Sequence, residues 1–211
     1  MPNSEKLAKA RPYGGLAVHE RREARRKKLI EAGYELFGTV GFTDTKIEQV
    51  CALAGVGIRS LYDEFGSLEH LFRAVYDDVV DRAFDAVSSA LQSSSDEKPK
   101  ALLSSGIGAY FHQMLDDRRS GRIVSIESAR LDLFLGSHRN DTLKRFADLT
   151  ARLAKDGSGL DESSRVIWST MLAGALNELV IAAVIADEAT DIEQLAKTST
   201  EIWIRSLGSP T

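Results

Sequence analysis

Apolar residues recur along this chain at intervals of three and four, with almost no strict alternation, and that spacing predicts helices throughout. The first runs from about Arg21 to Val40, with Leu29, Gly33, Leu36, Phe37 and Val40 as its buried stripe. Gly41 ends it, and Phe42 closes the small core behind it. Thr45 and Glu48 have the spacing of a capping box, so the next helix is expected to start near Thr45. Its Ile47, Val50, Cys51 and Ala54 fall on one face. Gly55 can take the left-handed conformation that stops a helix without steric cost. After that turn Ile58, Leu61, Tyr62 and Phe65 resume the helical spacing, with Leu61 and Phe65 facing inward.

Ser67 opens a longer helix that reaches about Leu91, with Glu69 in its first turn and Leu71, Val75, Val79 and Ala83 along it. Ser93 to Asp96 and Pro99 mark a loop. Further helices are expected over 100–115, 122–135, 138–154, 162–186 and 192–207, separated by a turn at 116–121, a break at Gly136 and a glycine-serine turn at 156–159. With no period-two strands and no internal repeat, the fold class is all-α, about nine helices. The expected division is a basic N-terminal arm plus a three-helix head over 1–66, and a helical bundle over 67–211.

The short helix, glycine turn and second short helix between Thr45 and Phe65 form a helix-turn-helix, whose second helix can enter the DNA major groove. Gly57, Ile58, Arg59 and Ser60 then lie at the exposed N-terminal end of that helix, where base edges are touched. Tyr62 can give its hydroxyl to a phosphate. Thr45, Lys46 and Arg25 complete the set of expected DNA contacts.

Charge changes this picture in one respect. The 211-residue chain has a formal net charge of −4, which alone argues against a nucleic-acid partner. Its first thirty residues, however, hold Lys6, Lys9, Arg11, Arg21, Arg22, Arg25, Arg26, Lys27 and Lys28 against Glu5, Glu20 and Glu23. A basic tip on an acidic body directs DNA to one end and repels it elsewhere. The single cysteine, Cys51, excludes an internal disulfide framework and reads as a small core residue. The first thirty residues lack an apolar segment of the kind a signal peptide needs, and no uninterrupted run of 18 apolar residues occurs, so a cytoplasmic protein with no membrane partner is expected.

Leu36-Phe37, Gly41-Phe42, Thr45, Ala54-Gly55-Val56, Leu61-Tyr62, Phe65 and Ser67-Leu68-Glu69 together resemble the N-terminal motif of tetracycline-repressor (TetR) family regulators. The resemblance covers roughly residues 25–72. The arm Arg11-Pro12-Tyr13-Gly14-Gly15, followed by Glu20-Arg21-Arg22, looks like the extension some of those proteins carry. Gly57, Glu64, Leu68 and Glu48 depart from the pattern, replacing a helix-capping serine, a frequent histidine, a common lysine and a basic side chain aimed at DNA. The departures remove positive charge from the reading head and shift weight to the arm.

The resemblance implies a small-molecule pocket among the middle helices and a four-helix dimer interface made by the last two, which makes the bundle over 67–211 a ligand-binding and dimerisation domain. Tyr110, Phe111, Met114, Phe134, Trp168 and Met171 are candidates for the pocket wall, with Arg130 and Asn177 for polar contacts beside His112, Glu127 and His138. The helix over 162–186 is apolar on nearly all sides and must be covered on nearly all sides. Gly174, Val180, Val184, Ile202 and Trp203 are the expected dimer contacts.

Two other readings compete. His112 and Asp116, four residues apart, can put two metal ligands on one helix face, but no further ligand pair, phosphate loop or nucleophile triad accompanies them. No catalytic residue, metal or cofactor is therefore expected. The chain could also be an architectural or protein-binding bundle that reuses the fold without reading a defined sequence. The favoured expectation is a homodimeric, effector-responsive regulator, a repressor that binds a palindromic double-stranded DNA operator and is released by an unknown small molecule.

Overall fold

The computed structural model describes residues 13–94, 98–153, 160–186 and 189–206, and every regular element in them is helical. In chain order these are α1 (Tyr13–Thr39), α2 (Ile47–Ala54), α3 (Ile58–Phe65), α4 (Leu68–Ser93), α5 (Pro99–Leu115) and α6 (Arg118–Gly121). A π-helical turn (Arg122–Glu127) follows, then α7 (Ser128–Arg130), α8 (Asp132–Leu135), α9 (Ser137–Leu153), α10 (Glu162–Ala186) and α11 (Ile192–Ser206). The one helix expected over 122–135 is therefore in pieces. Its backbone turns helical at Arg118, widens into the π turn, and breaks at Leu131.

The head forms for local reasons. Gly41 (φ 94°) ends α1, its N–H bonding back to the Leu36 carbonyl at 3.1 Å, and Gly55 (φ 66°) ends α2. Ser67 caps α4 by accepting the His70 N–H at 3.2 Å. Leu29, Phe37, Val50, Leu61, Leu71, Phe72 and Val75 are completely buried. The rings of Phe37, Phe42 and Phe72 interlock at centroid distances of 5.3–5.7 Å. Phe72 belongs to α4, so the first turns of α4 are part of the head's core, and a division at residue 66 runs through packed side chains.

Two expectations fail here. The capping box of Thr45 and Glu48 does not form. Lys46 takes the cap position, and its N–H is held at 2.8 Å by the side chain of Gln49. Thr45 instead turns inward, buried, and donates its hydroxyl to the Gly41 carbonyl at 2.7 Å. The second concerns α1, which starts at Tyr13, eight residues before the expected point. From His19 to Arg25 it is exposed and polar, so hydrophobic periodicity could not carry the helix back through those turns. The part of the arm holding Lys6, Lys9 and Arg11 lies outside the described residues.

In the body α4 and α5 pack together, α11 lies along α5, and α9 lies along α10. Along α10 the buried residues Trp168, Leu172, Leu176, Val180 and Ala183 recur every three or four positions. On other sides Val166, Ile167, Met171 and Ile185 are each more than half exposed. By length and composition α10 is also apolar enough to cross a membrane, although its apolar residues do not form one uninterrupted run.

α6 is wedged between α5 and α10. A Cβ placed on Gly121 would stand 2.9 Å from the Met114 carbonyl oxygen, 2.9 Å from Val180 Cγ1 and 3.0 Å from Val184 Cγ2. Gly121→Ala is thus expected to cost about 1–3 kcal/mol through overpacking. A urea midpoint equal to the wild type would show that the three elements part freely there.

Candidate functional site

Two sites stand out, one on the head and one in the body. The first is the exposed end of α3. Gly57 is its N-cap in extended conformation, Ile58 and Tyr62 are about half exposed, and the Arg59 side chain is 93% exposed. Arg59 lies 3.7 Å from Asp63, a loose surface pair that leaves it free to reach outward. Lys46 is exposed at the start of α2. Thr45 is the exception among the expected DNA contacts, because its buried hydroxyl is already used on Gly41.

Arg25 is placed by a residue whose role the sequence did not reveal. Glu64, at the end of α3, has a side chain only 4% exposed and pairs with Arg22 at 2.9 Å and Arg25 at 3.5 Å. Arg26 stacks on Phe65, 4.5 Å from the ring centroid. The basic first half of α1 is thereby fixed to the reading helix instead of hanging as a loose arm. The signal was the departure at Glu64 itself, an acid in a basic neighbourhood.

The second site is a cavity of about 200 Å³ among α4, α5, α9 and α10. Native interiors rarely keep voids larger than a water molecule, so this is a built space. Its wall is mainly apolar, including Val80, Leu103, Ile107, Leu143, Phe146 and Leu176. Tyr110, Met114 and Asn177 line it, as the sequence suggested. Phe111, Arg130, Phe134, Trp168 and Met171 do not. Phe111 points into the solid core, and Trp168 packs edge-on against Trp203 and donates to Ser206. Phe134 meets His70, Arg130 pairs with Glu127, and Met171 faces outward at 60% exposure. The sequence reading missed α9, whose Leu143, Phe146 and Thr150 repeat at helical spacing but are diluted by charged neighbours.

The wall chemistry is one-sided. Arg139 is the one charged side chain among the described lining residues. Burial raises the Tyr110 phenol well above its usual pKa, so it stays a neutral donor. A space with a cation, amides and hydroxyls but no carboxylate suits a neutral or anionic guest and penalises a cationic one.

A polar seam joins α1 and the loop after it to α6 and the π turn. Tyr34 of α1 donates its hydroxyl to Asp117 at 2.9 Å and meets Ser120 at 2.9 Å. Arg119 bonds Asp117 and Glu35, and its guanidinium, with help from Tyr34, holds the Asp117 carboxyl below the usual range. Arg122 donates to the Thr39 carbonyl at 2.7 Å. Glu127, completely buried, accepts the Phe42 N–H at 3.0 Å and pairs with Arg122 at 3.3 Å.

The expected dimer contacts divide. Ile202 is exposed, and the Cβ position of Gly174 is open. Val180 is completely buried and, with Val184, presses on Gly121, while Trp203 packs on Trp168. These three serve the subunit's own core. His112 bridges Asp116 at 3.2 Å and Glu193 at 3.1 Å, and those carboxylates, Asp116 foremost, raise its pKa.

The two features together are a helix-turn-helix head and an all-helical body that holds a cavity. Residues 29–75 match the family model for bacterial regulatory proteins of the tetR family. On that match, the head is a TetR-family DNA-binding domain. It is 28% identical over 123 residues to the HTH-type transcriptional activator FasR of Mycolicibacterium smegmatis, covering 57% of this chain and 55% of that protein, so the match spans about half of the relative's length. The fatty acid degradation regulator FadR of Bacillus halodurans has the same fold, with a TM-score of 0.75, 20% identity, and coverage of 88% of this chain and 95% of that one. FadR of Bacillus subtilis, solved with stearoyl-CoA, gives 0.74 and 18%, over 84% and 97% of the two chains.

Proposed function

We propose that this protein is a homodimeric repressor that reads a palindromic operator with α3 and lets go when a small molecule fills the body cavity. The observation that carries the reading is α3 itself: Leu61 is completely buried while Gly57, Ile58, Arg59 and Tyr62 stand clear of the protein. That rotation offers the N-terminal end of the helix to a major groove. Residues 1–66 act as the DNA-binding unit, with the start of α4 as its seat. Residues 67–211 bind the effector and the second subunit. Arg25, Lys46, Gly57, Ile58, Arg59, Ser60 and Tyr62 form the DNA face; Thr45 supports it from inside. Tyr110, Met114 and Asn177, with α9, hold the effector. Ile167, Met171, Gly174 and Ile202 meet the partner subunit, which covers the apolar side of α10 and removes any need for a membrane. The protein works in the cytoplasm.

The effector is an amphiphile with an apolar chain and a neutral or anionic polar end. The wall of the cavity supports this chemistry, and so does the stearoyl-CoA on the Bacillus subtilis FadR. The test is to select operator DNA with the purified protein and then titrate stearoyl-CoA into the complex. Release of the DNA is the expected result. Retention of DNA by a protein that binds the thioester would make the effector a corepressor, and absence of any selected sequence would favour the architectural bundle.

Arg59 is the one cation in α3, and arginine reads guanine with two hydrogen bonds. Arg59→Ala is expected to cost about 1–3 kcal/mol of operator affinity and relax one position of the site. Equal losses on operator and random DNA, measured by fluorescence anisotropy, would reduce Arg59 to a phosphate contact.

A further inference from the structure

We propose that the π-helical turn Arg122–Glu127 carries cavity occupancy to the reading head, with Ser125 at the receiving end and Glu127 at the delivering end. The proposal deepens the effector-site reading above and rests on it. Three residues of this one turn face three different duties. Val124 is part of the cavity wall. Ser125, buried, donates its hydroxyl to Asn177 Oδ1 at 2.9 Å, and Asn177 lines the same cavity from α10. Glu127, two residues on, accepts the Phe42 N–H in the loop between α1 and α2.

The turn is packed on both sides. At its start Gly121 is pressed between α5 and α10. A Cβ on Gly41 would stand 3.0 Å from Arg122 Nη2 and 3.1 Å from Glu127 Oε1, so the loop runs close against side chains from both ends of the turn. A π turn holds one residue more than an α turn, and such turns concentrate at functional positions. Its register can tighten to α without unfolding, which rotates the residues it carries.

Glu127 makes the connection stiff. Its carboxylate is completely buried and depends on Arg122, Arg130 and the Phe42 amide. A buried charge that loses its partners costs several kcal/mol, so the carboxylate and the loop move together. Phe42 in turn sits in the Phe37–Phe42–Phe72 cluster where α1 and α4 meet. A guest that engages the Asn177 amide alters the Ser125 bond, and the turn passes the shift to the head. Ser125 and Glu127 are positioning residues; neither is required to touch DNA or effector.

Amide exchange of the full-length protein, followed by NMR without DNA or ligand, tests the connection. Ser125→Ala and Asn177→Ala remove the receiving bond, and Glu127→Gln weakens the delivering one. Each is expected to speed exchange at Phe42 by about threefold to tenfold, the worth of one hydrogen bond, while amides in the buried stripe of α10 keep their wild-type rates. Thr150→Ala, a cavity-wall change that does not touch the turn, is expected to leave Phe42 unchanged. An unchanged Phe42 in both Ser125→Ala and Asn177→Ala overturns the proposal. So does acceleration spread evenly over the chain, which would mean a merely structural bond, or an equal effect of Thr150→Ala. The outcome is independent of stearoyl-CoA and operator binding, so failure of the effector reading and failure of the relay are told apart.

Discussion

Met171→Asp is expected to give a folded monomer that no longer holds operator DNA. Ile167, Met171 and Ile185 share one face of α10 by helical spacing, and they and Ile202 of α11 are each about three-fifths exposed or more in the single subunit. Each such side chain gains about 1.5–3 kcal/mol when fully buried, so four on each subunit can drive association. Gly174, three residues on, leaves room for a partner helix to come close. A carboxylate placed in that contact has no cation to meet and costs several kcal/mol. In the monomer the same position faces water, so the fold should keep its stability. Light scattering should report half the mass, circular dichroism an unchanged melting curve, and anisotropy a collapse of operator affinity, because one head covers only half a palindrome. An intact dimer would move the interface elsewhere, and a monomeric wild type at micromolar concentration would remove it.

Val180→Asp is expected to do something different: unfold the subunit. Nine residues separate it from Met171, two and a half turns, which places the two on opposite sides of α10. Val180 is completely buried and lies against Gly121. An unpaired charge there costs about 3–5 kcal/mol, a large part of the stability of an ordinary domain. The urea midpoint should fall steeply, with loss of DNA binding as a consequence. A Val180→Asp protein with wild-type stability that elutes as a monomer would return Val180 to the interface and contradict the rotation of α10 described above.

The contrast between these residues shows what could be read from the chain and what could not. Apolar spacing was enough for the helices of the head, because Leu61, Val50 and Phe37 have only one side to hide. It was not enough for α10. A helix apolar on all sides gives no phase, so which residues face the cavity, the core or a partner depends on packing against α5, α6 and α9. Thr45 failed for a related reason. Thr-x-x-Glu is permissive, and the inward hydroxyl bond to Gly41 competes with capping. Glu127 was one of several polar candidates, and nothing in the sequence around it announces a buried carboxylate that reaches back 85 residues to Phe42. The cavity was implied by resemblance, while its α9 wall was hidden by alternating charge on a helix that faces solvent on its other side.

Glu64 has a bearing on how the protein finds its target. Association with random DNA is driven largely by the release of condensed cations from the phosphates, and each lysine or arginine that replaces one adds to the salt dependence. Arg22 and Arg25 already share a nearly buried carboxylate, so the head brings its own counterion to the duplex. Fewer ions are freed per encounter, and residence on arbitrary sequence shortens. For the operator reader proposed above, the expected consequence is a target search that relies more on three-dimensional hops than on long sliding runs.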